Sequence, residues 1–167
     1  MCAYGEATSD ADIEGTLALA QNRLRDAAVA FQRAVDLNPS SAKAHEGLGV
    51  ALSREIIAGN VRPYTESDVA ERAENHLKQA NELQPSAPNP LLELSELEAS
   101  LAERAADAAD RSDRFREARD LLKRVLDLEP GKAGLYLWLA NLERDEFGPA
   151  IQQAKARAGK ESGPLLI

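Results

Sequence analysis

Three stretches of the chain share one spacing of apolar residues and end in a proline. The copies are Ala27-Phe31-Ala34-Leu37-Pro39, Ala73-Leu77-Ala80-Leu83-Pro85 and Ala118-Leu122-Val125-Leu128-Pro130. Apolar residues at i, i+4, i+7 and i+10 lie on one stripe of an α-helix, and the proline marks a position by which that helix has ended. A repeat of this kind predicts a stacked array of helices, and such arrays most often bind other proteins.

Each proline is followed by a second regularity. The sixth, ninth and tenth residues after it are a large residue, a leucine and a small residue. They are His45, Leu48 and Gly49, then Leu91, Leu94 and Ser95, then Tyr136, Leu139 and Ala140. The small residue allows a neighbouring helix to approach closely. Each unit is therefore expected to contain two helices, of which the second ends at the proline.

The chain resembles the tetratricopeptide repeat (TPR) family over roughly residues 9–158. The resemblance is carried by His45-Leu48-Gly49 and Ala73-Leu77-Ala80-Pro85, with their counterparts in the other units. It implies an all-α fold, a right-handed superhelical solenoid of about eight helices arranged as antiparallel pairs. The expected divisions are a flexible N-terminus at 1–8, units at about 9–41, 42–87, 88–132 and 133–158, and a tail at 159–167.

Two of these units are longer than the repeat of about 34 residues that is typical of the family. Pro39 and Pro85 are 46 positions apart, and Pro85 and Pro130 are 45 positions apart. The spacing within each helix motif is intact. We therefore expect the extra residues to lie between the first and second helix of each unit, along one edge of the solenoid.

The two insertions differ in composition. The first contains a loop at Gly59–Tyr64, whose residues Val61, Arg62 and Tyr64 form a secondary candidate surface. The second contains no helix breaker, so we expect one long helix from Asn89 to Asp110 and a turn at Arg111–Asp113. Adjacent units would bring the two insertions together.

The ends of the array are also predicted from periodicity. A first helix is expected from Ala11 to Gln21, with Ile13, Leu17 and Ala20 on one face. A final helix is expected from Pro149 to Ala158, because proline is favoured in a first helical turn.

Composition narrows the class of partner. The net charge of −8 argues against nucleic acid and against anionic membranes, since both attract basic surfaces. The longest apolar run, Leu135–Ala140, is far shorter than the ~18 residues of a membrane helix, so no transmembrane segment is expected. The abundance of alanine, arginine and aspartate suggests a bacterial source.

The N-terminal residues favour a cytoplasmic location, because they include neither the basic region nor the apolar core of a secretory signal. The single cysteine, Cys2, permits no internal disulfide. An alternative is a periplasmic or lipid-anchored protein in which Cys2 became the first residue after removal of a signal peptide.

Residues that could support catalysis or bind a metal are sparse. His45 and His76 are the only histidines, and a structural zinc site needs four ligands. His45 occupies a position where large core residues recur, so a structural role is expected, whereas His76 is expected to face solvent. Gly47-Leu48-Gly49 lies within a helix and does not form a phosphate-binding loop. The sequence predicts no enzymatic activity, no metal and no cofactor.

The resemblance implies that the first helix of each unit lines a concave groove in which a protein or peptide segment binds. Apolar Leu92, Leu137 and Trp138 would be anchors, and Lys43, Arg54 and Arg144 would guide polar groups. Leu137 and Trp138 could instead pack beneath the tail Leu165–Ile167. The matching groove residues are Lys43, Glu46, Val50, Arg54, Leu92, Glu96, Leu137, Trp138, Asn141 and Arg144, with Asp12, Ile13, Thr16 and Ala99 also on these faces.

Two functions follow from these observations. The first is a non-enzymatic adaptor or scaffold that binds a partner segment in the groove. Family members that hold chaperone C-terminal carboxylates use basic and amide groups in the groove, whereas Glu46, Val50, Leu92 and Glu96 occupy those positions here. The second is a self-assembling structural unit, a homo-oligomer or a component of a cell-envelope complex.

Overall fold

The computed structural model describes residues 2–61 and 63–144, and these residues form seven helices and no strand. The helices are connected by short turns. They are α1 (Cys2–Ala20), α2 (Leu24–Leu37), α3 (Ala42–Ile57), α4 (Pro63–Leu83), α5 (Asn89–Arg104), α6 (Ala108–Leu128) and α7 (133–144). The expected eighth helix, from Pro149 to Ala158, lies outside the described residues.

Consecutive helices pack as antiparallel pairs, α1 with α2, α3 with α4 and α5 with α6. Neighbouring pairs are joined because α2 also contacts α3 and α4 also contacts α5. In addition, α3 contacts both α1 and α5. The first helices of successive pairs therefore lie side by side and form one face of a solenoid, as the repeat pattern predicts.

Local capping groups set several helix boundaries. The Ser41 hydroxyl accepts a hydrogen bond from the backbone N–H of Ala44 (3.2 Å) at the start of α3, and serine is one of the residues that favour this N-cap position. Asn22 ends the turn between α1 and α2 with a φ of 56°. Asparagine tolerates this left-handed conformation better than most residues, so it can replace the glycine that the family usually has at this turn.

The core consists of two clusters of buried side chains. The first surrounds Phe31 and involves α1 to α4, with Leu97 of α5. The Phe31 ring lies between two helices whose closest residues are Gly15 and Gly47, and a β-carbon at either glycine would overlap the ring. The second cluster joins Val50 and Leu77 to the apolar faces of α5, α6 and Leu142 of α7.

The small residues of the repeat lie where helices cross, as the sequence predicts for the first two copies. A β-carbon at Gly49 would come within 2.6 Å of Leu77 and 3.2 Å of the Ala73 carbonyl oxygen. In the next unit Ser95 occupies the equivalent place, and its buried hydroxyl donates a 2.7 Å hydrogen bond to the Ala118 carbonyl oxygen. Both crossings thus bring a small residue against the alanine that begins the apolar stripe of the partner helix.

The prediction for the first helix was wrong in two respects. It begins at Cys2 rather than near Ala11, so residues 2–8 are helical. Its buried face contains Ala11, Gly15 and Ala18, whereas Ile13 and Leu17 are 60% and 53% exposed. The physical reason is the Phe31 ring, which leaves room for a glycine on α1 but not for a large side chain.

The prediction of one long helix from Asn89 to Asp110 was also wrong. The chain leaves the helix after Arg104, and α6 begins at Ala108 instead of after a turn at Arg111–Asp113. The Asp107 carboxylate accepts hydrogen bonds from the backbone N–H groups of Ala109 and Asp110, both at 2.9 Å. This cap starts the new helix without a proline or glycine.

The two insertions contact each other, as expected from their shared edge. The Arg104 guanidinium donates to the Glu66 carboxylate and to the Ile56 carbonyl oxygen, both at 2.7 Å. It therefore joins the end of α5 to the start of α4 and the C-terminal end of α3. Half-buried Val61 and Leu101 pack beside it on the first core cluster.

Candidate functional site

An open groove lies on the face formed by α1, α3 and α5 and has a volume of about 500 Å³. The groove is lined by apolar side chains, here called its floor, and by polar or charged side chains. The lining residues are Thr16, Leu19, Phe31, Lys43, Glu46, Gly47, Val50, Arg54, Asn89, Leu92, Glu93 and Glu96. The volume is in the range of small-ligand pockets, about 300–1,000 Å³.

Six of the ten groove residues predicted from the sequence line this groove. They are Lys43, Glu46, Val50, Arg54, Leu92 and Glu96. Thr16 also lines it, as expected from its face on α1. The helical spacing of α3 and α5 places these residues together, because i, i+3, i+4 and i+7 positions share one helix face. The structure therefore brings together six of the ten residues that the family resemblance placed on this face, and their binding of a partner stays a prediction.

The four predicted residues on α7 do not line this groove. Leu137 is 67% exposed. Trp138 is half-buried and, like Leu92, packs against the second core cluster. Asn141 is half-buried and Arg144 is exposed. The proposed covering of Leu137 and Trp138 by Leu165–Ile167 falls outside the described residues. Tyr136, expected to be a core residue, is also exposed, and the helix predicted to pair with it is not among the described residues.

An ion pair crosses the groove between α3 and α5. The Arg54 guanidinium donates to Oε1 of Glu93 at 2.7 Å. The side chain of Glu93 is largely buried, and its other oxygen, Oε2, is buried without a hydrogen-bond partner among the residues that the structure describes. The sequence analysis did not include Glu93 in the groove, although its spacing of i−3 from Glu96 would have placed it on the same face.

Two further carboxyl groups lie close to Glu93. Burial raises the pKa of Glu46, and repulsion from Glu93 raises it further, while a hydrogen bond with Asn89 opposes both effects. Desolvation by surrounding protein atoms also raises the pKa of Glu96, Glu93 adds to the effect, and Arg54 opposes it. The groove therefore holds three carboxyl groups near one another, and their charges are only partly compensated.

The two histidines form a contact away from the groove, which corrects the expectation that His76 faces solvent. Their Nδ1 atoms are 2.9 Å apart, and Nε2 of His45 is 2.9 Å from the Pro39 carbonyl oxygen. Because the carbonyl accepts, His45 carries its proton on Nε2, and its Nδ1 accepts from Nδ1–H of His76. His45 is buried as predicted. The pair joins α3, α4 and the end of α2 and has a structural role.

The secondary edge is only partly described. Val61 is half-buried against the first core cluster, so it supports the fold rather than presenting an open surface. Arg62 and the side chain of Tyr64 lie outside the described residues. Among the described residues, no group of three or more histidine, cysteine, aspartate or glutamate side chains could hold a metal ion, and no helix has the length and apolar character needed to cross a membrane.

The stacked helix pairs and the open groove define a helical-repeat protein with a concave binding face. A family model described as the tetratricopeptide repeat matches residues 14–55 and 103–146. The chain therefore belongs to the tetratricopeptide repeat family. The unmatched region between the two segments, 56–102, contains the loop of the first insertion.

Several solved structures share the fold of this chain. The TPR domain of Arabidopsis OM64 superposes with a TM-score of 0.66 at 18% identity, covering 85% of this chain and 98% of that one. The first TPR domain of Spaghetti (RPAP3), bound to the HSP90 peptide SRMEEVD, gives a TM-score of 0.63 at 16% identity, covering 84% and 93%. A mutant O-GlcNAc transferase from Thermobaculum terrenum gives 0.60 at 18% identity, covering 82% of this chain but 23% of the enzyme. No curated protein sequence matches the chain.

Proposed function

We propose that this protein is a non-enzymatic adaptor that binds a segment of a partner protein in the groove between α1, α3 and α5. The observation that carries the proposal is the groove itself, an open concavity whose floor includes Leu19, Val50 and Leu92. Apolar side chains surrounded by polar groups are typical of sites that bind peptide anchors. The peptide bound to the RPAP3 domain supports the proposal, because that domain has the same fold.

Leu92 is the proposed anchor residue within this groove. It lies on α5 between Asn89 and Glu96, and it is half-buried with part of its side chain open to the groove. Lys43 and Arg54 flank the opening from α3. Leu137, Trp138, Asn141 and Arg144 would extend the binding surface along α7 to a longer segment.

A pull-down from a lysate of the source organism tests the adaptor function. The variant Leu92→Glu places a charge in the groove, and Val29→Glu is a matched control because Val29 is 64% exposed on α2 outside the groove. Both variants add the same charge and should be equally helical by circular dichroism. We expect wild type and Val29→Glu to retain the same partner and Leu92→Glu to lose it. Retention by all three would show that binding does not use this groove.

Self-assembly is a second candidate function, favoured by exposed apolar side chains at both ends of the described array. Ile13 and Leu17 are exposed on α1, and Tyr136 and Leu137 are exposed on α7. Contact between such faces would build an oligomer. Light scattering after size-exclusion chromatography should then give a mass above that of one chain, and Leu17→Glu should reduce it. A monomeric mass at high concentration would exclude this function.

A further inference from the structure

We propose that the segment bound in the groove carries a lysine or arginine next to an apolar residue. This inference rests on the proposed adaptor function and specifies the chemistry of the partner. Three observations lead to it: the charges that line the groove, the buried oxygen of Glu93 that lacks a hydrogen-bond partner in the described part of the chain, and the apolar floor beside these charges.

The charge of the groove favours a basic partner. Three carboxylates, Glu46, Glu93 and Glu96, face two cations, Lys43 and Arg54. Arg54 is already held by Glu93, which leaves the carboxyl groups of Glu46 and Glu96 with Lys43, so the groove lining has one more carboxyl group than cations. The whole chain is acidic as well, with a net charge of −8. Complementary charges speed association and disfavour partners of the wrong sign.

The burial of the Glu93 carboxylate gives a second reason to expect a basic partner. One of its oxygens accepts a hydrogen bond from Arg54, but Oε2 is buried and has no hydrogen-bond partner within residues 2–61 and 63–144. A buried polar atom that lacks a hydrogen bond is unfavourable, and more so when its group is charged. Arg54 can balance only one of the three carboxylates in the groove. A second cation in this part of the groove would offset part of the remaining negative charge.

The pKa shifts of the neighbouring carboxyl groups are also consistent with a basic partner. The pKa values of Glu46 and Glu96 are both raised, first by desolvation and then by repulsion from Glu93. The free groove therefore resists full ionisation of its three carboxyl groups. A bound ammonium or guanidinium group would favour the ionised forms, since an opposite charge nearby stabilises a carboxylate.

The apolar floor of the groove indicates which kind of residue lies next to the lysine or arginine of the partner. Leu19, Val50 and Leu92 lie beside the carboxylates in the same concavity. A partner side chain that fills this floor must come from a residue near the lysine or arginine in sequence, because the whole concavity measures about 500 Å³. Leucine, isoleucine, valine or phenylalanine would suit it.

The groove is expected to disfavour acidic segments. The peptide SRMEEVD, which is bound to the RPAP3 domain, has three acidic residues among seven. In the present chain Glu46 and Glu96 would repel such a peptide. The two chains thus share a fold, but their grooves are expected to select segments of different charge.

Selection from a random dodecapeptide phage library tests the inference. The library is selected on wild-type protein, and the enriched peptides are synthesised and measured by fluorescence polarisation against Leu92→Glu and the double variant Glu46→Gln/Glu96→Gln. Glutamine preserves the shape of each side chain and removes its charge. The control double variant Glu82→Gln/Glu103→Gln makes the same change in net charge at exposed positions outside the groove lining.

We expect the enriched peptides to carry lysine or arginine within a few residues of an apolar side chain. Binding should weaken about 5- to 20-fold in Glu46→Gln/Glu96→Gln and by less than about 2-fold in the control, and it should weaken as salt is added. Replacing the basic residue of the peptide by glutamate should abolish binding.

Two other outcomes would be informative in different ways. Peptides that need Leu92 but show no excess of basic residues, or an excess of acidic ones, would overturn this inference and leave the adaptor function intact. If no enriched peptide loses binding in Leu92→Glu, the groove is not a peptide site, and both the inference and the proposed function fail.

Discussion

Gly47 lies directly against the ring of Phe31, so closely that a β-carbon at Gly47 would overlap the ring atoms. Phe31 comes from α2 and separates α1 from α3. This contact sets the distance between the helices that line the groove. The packing of one glycine against one aromatic ring thus connects the core of the first unit with the shape of the binding face.

Gly47→Ala should therefore destabilise the protein. Alanine normally favours a helix over glycine by about 1 kcal/mol, but the overlap with Phe31 should cost more than this, about 1–3 kcal/mol. Gly134→Ala is the matched control, because Gly134 is helical and none of the described residues lies within 4 Å of its added β-carbon. Urea unfolding measures the free energy of unfolding of both variants. Equal or higher stability for Gly47→Ala would show that the ring can move aside without cost.

Arg104→Met should weaken the contact between the two insertions. Methionine retains an apolar side chain but loses the hydrogen bonds to Glu66 and to the Ile56 carbonyl oxygen. We expect a loss of about 1 kcal/mol in the free energy of unfolding. The control is Arg116→Met, which removes an exposed ion pair with Asp113 and should change stability by no more than about 0.5 kcal/mol. Similar losses in the two variants would contradict a special role for Arg104.

Glu98→Gln should change how stability depends on pH. The pKa of Glu98 is raised to about 7 from an ordinary value of 4.5, mainly by burial and also by Glu74 and Glu117, although Arg114 donates a 2.9 Å hydrogen bond to the carboxylate. Between these two values the folded state binds more protons than the unfolded state. Stability therefore falls as the pH rises from about 4.5 through 7.

Glutamine does not titrate, so the variant should lack this loss. Relative to wild type, Glu98→Gln should gain about 1–3 kcal/mol in stability between pH 5 and pH 8. Urea unfolding of both proteins at four pH values measures the difference. A constant difference across this range would contradict the raised pKa.

The contribution of His76 to stability should depend on pH in the direction opposite to that of Glu98. Burial lowers the pKa of His76 below its ordinary value of 6.5, and His45 and Arg72 lower it further. Because the unfolded state then binds the proton more tightly, the contribution of His76 to stability is complete above pH 6.5 and is lost as the pH falls through the lower, folded pKa.

Two-dimensional NMR of the imidazole groups can test this directly, since the chain has two histidines. The His76 resonance should titrate below pH 6.5 in the folded protein, and His45→Phe should move its midpoint upwards. A midpoint at or above 6.5 in wild type would be inconsistent with the pair as described.

The repeat pattern predicted the paired helices because it depends on buried side chains that recur at a fixed spacing. Leu48, Leu77, Leu94 and Leu122 are all buried as expected. The same reasoning placed Glu46 and Leu92 in one groove, because α3 and α5 are equivalent helices of neighbouring units.

The errors arose where a local cap, or a contact between distant parts of the chain, overrides the periodicity of apolar residues. The break before α6 has no proline or glycine, and it is stabilised by the cap of Asp107 and by a hydrogen bond from Arg111 to the Ala105 carbonyl oxygen. Ile13 and Leu17 form an apolar pair on α1, but the Phe31 ring admits only Gly15. The contact between His76 and His45 joins positions 31 residues apart, which no local pattern reveals.

The most direct test of the central claim is to map the bound partner on the protein by NMR. Methyl-labelled protein is titrated with the synthetic partner segment that wild type retains in the pull-down and Leu92→Glu loses. The account predicts that the methyl resonances of Leu19, Val50 and Leu92, which line the groove, shift on binding. Shifts confined to exposed residues elsewhere, such as Val29, Leu83 and Leu128, would contradict it and place the binding site outside the groove.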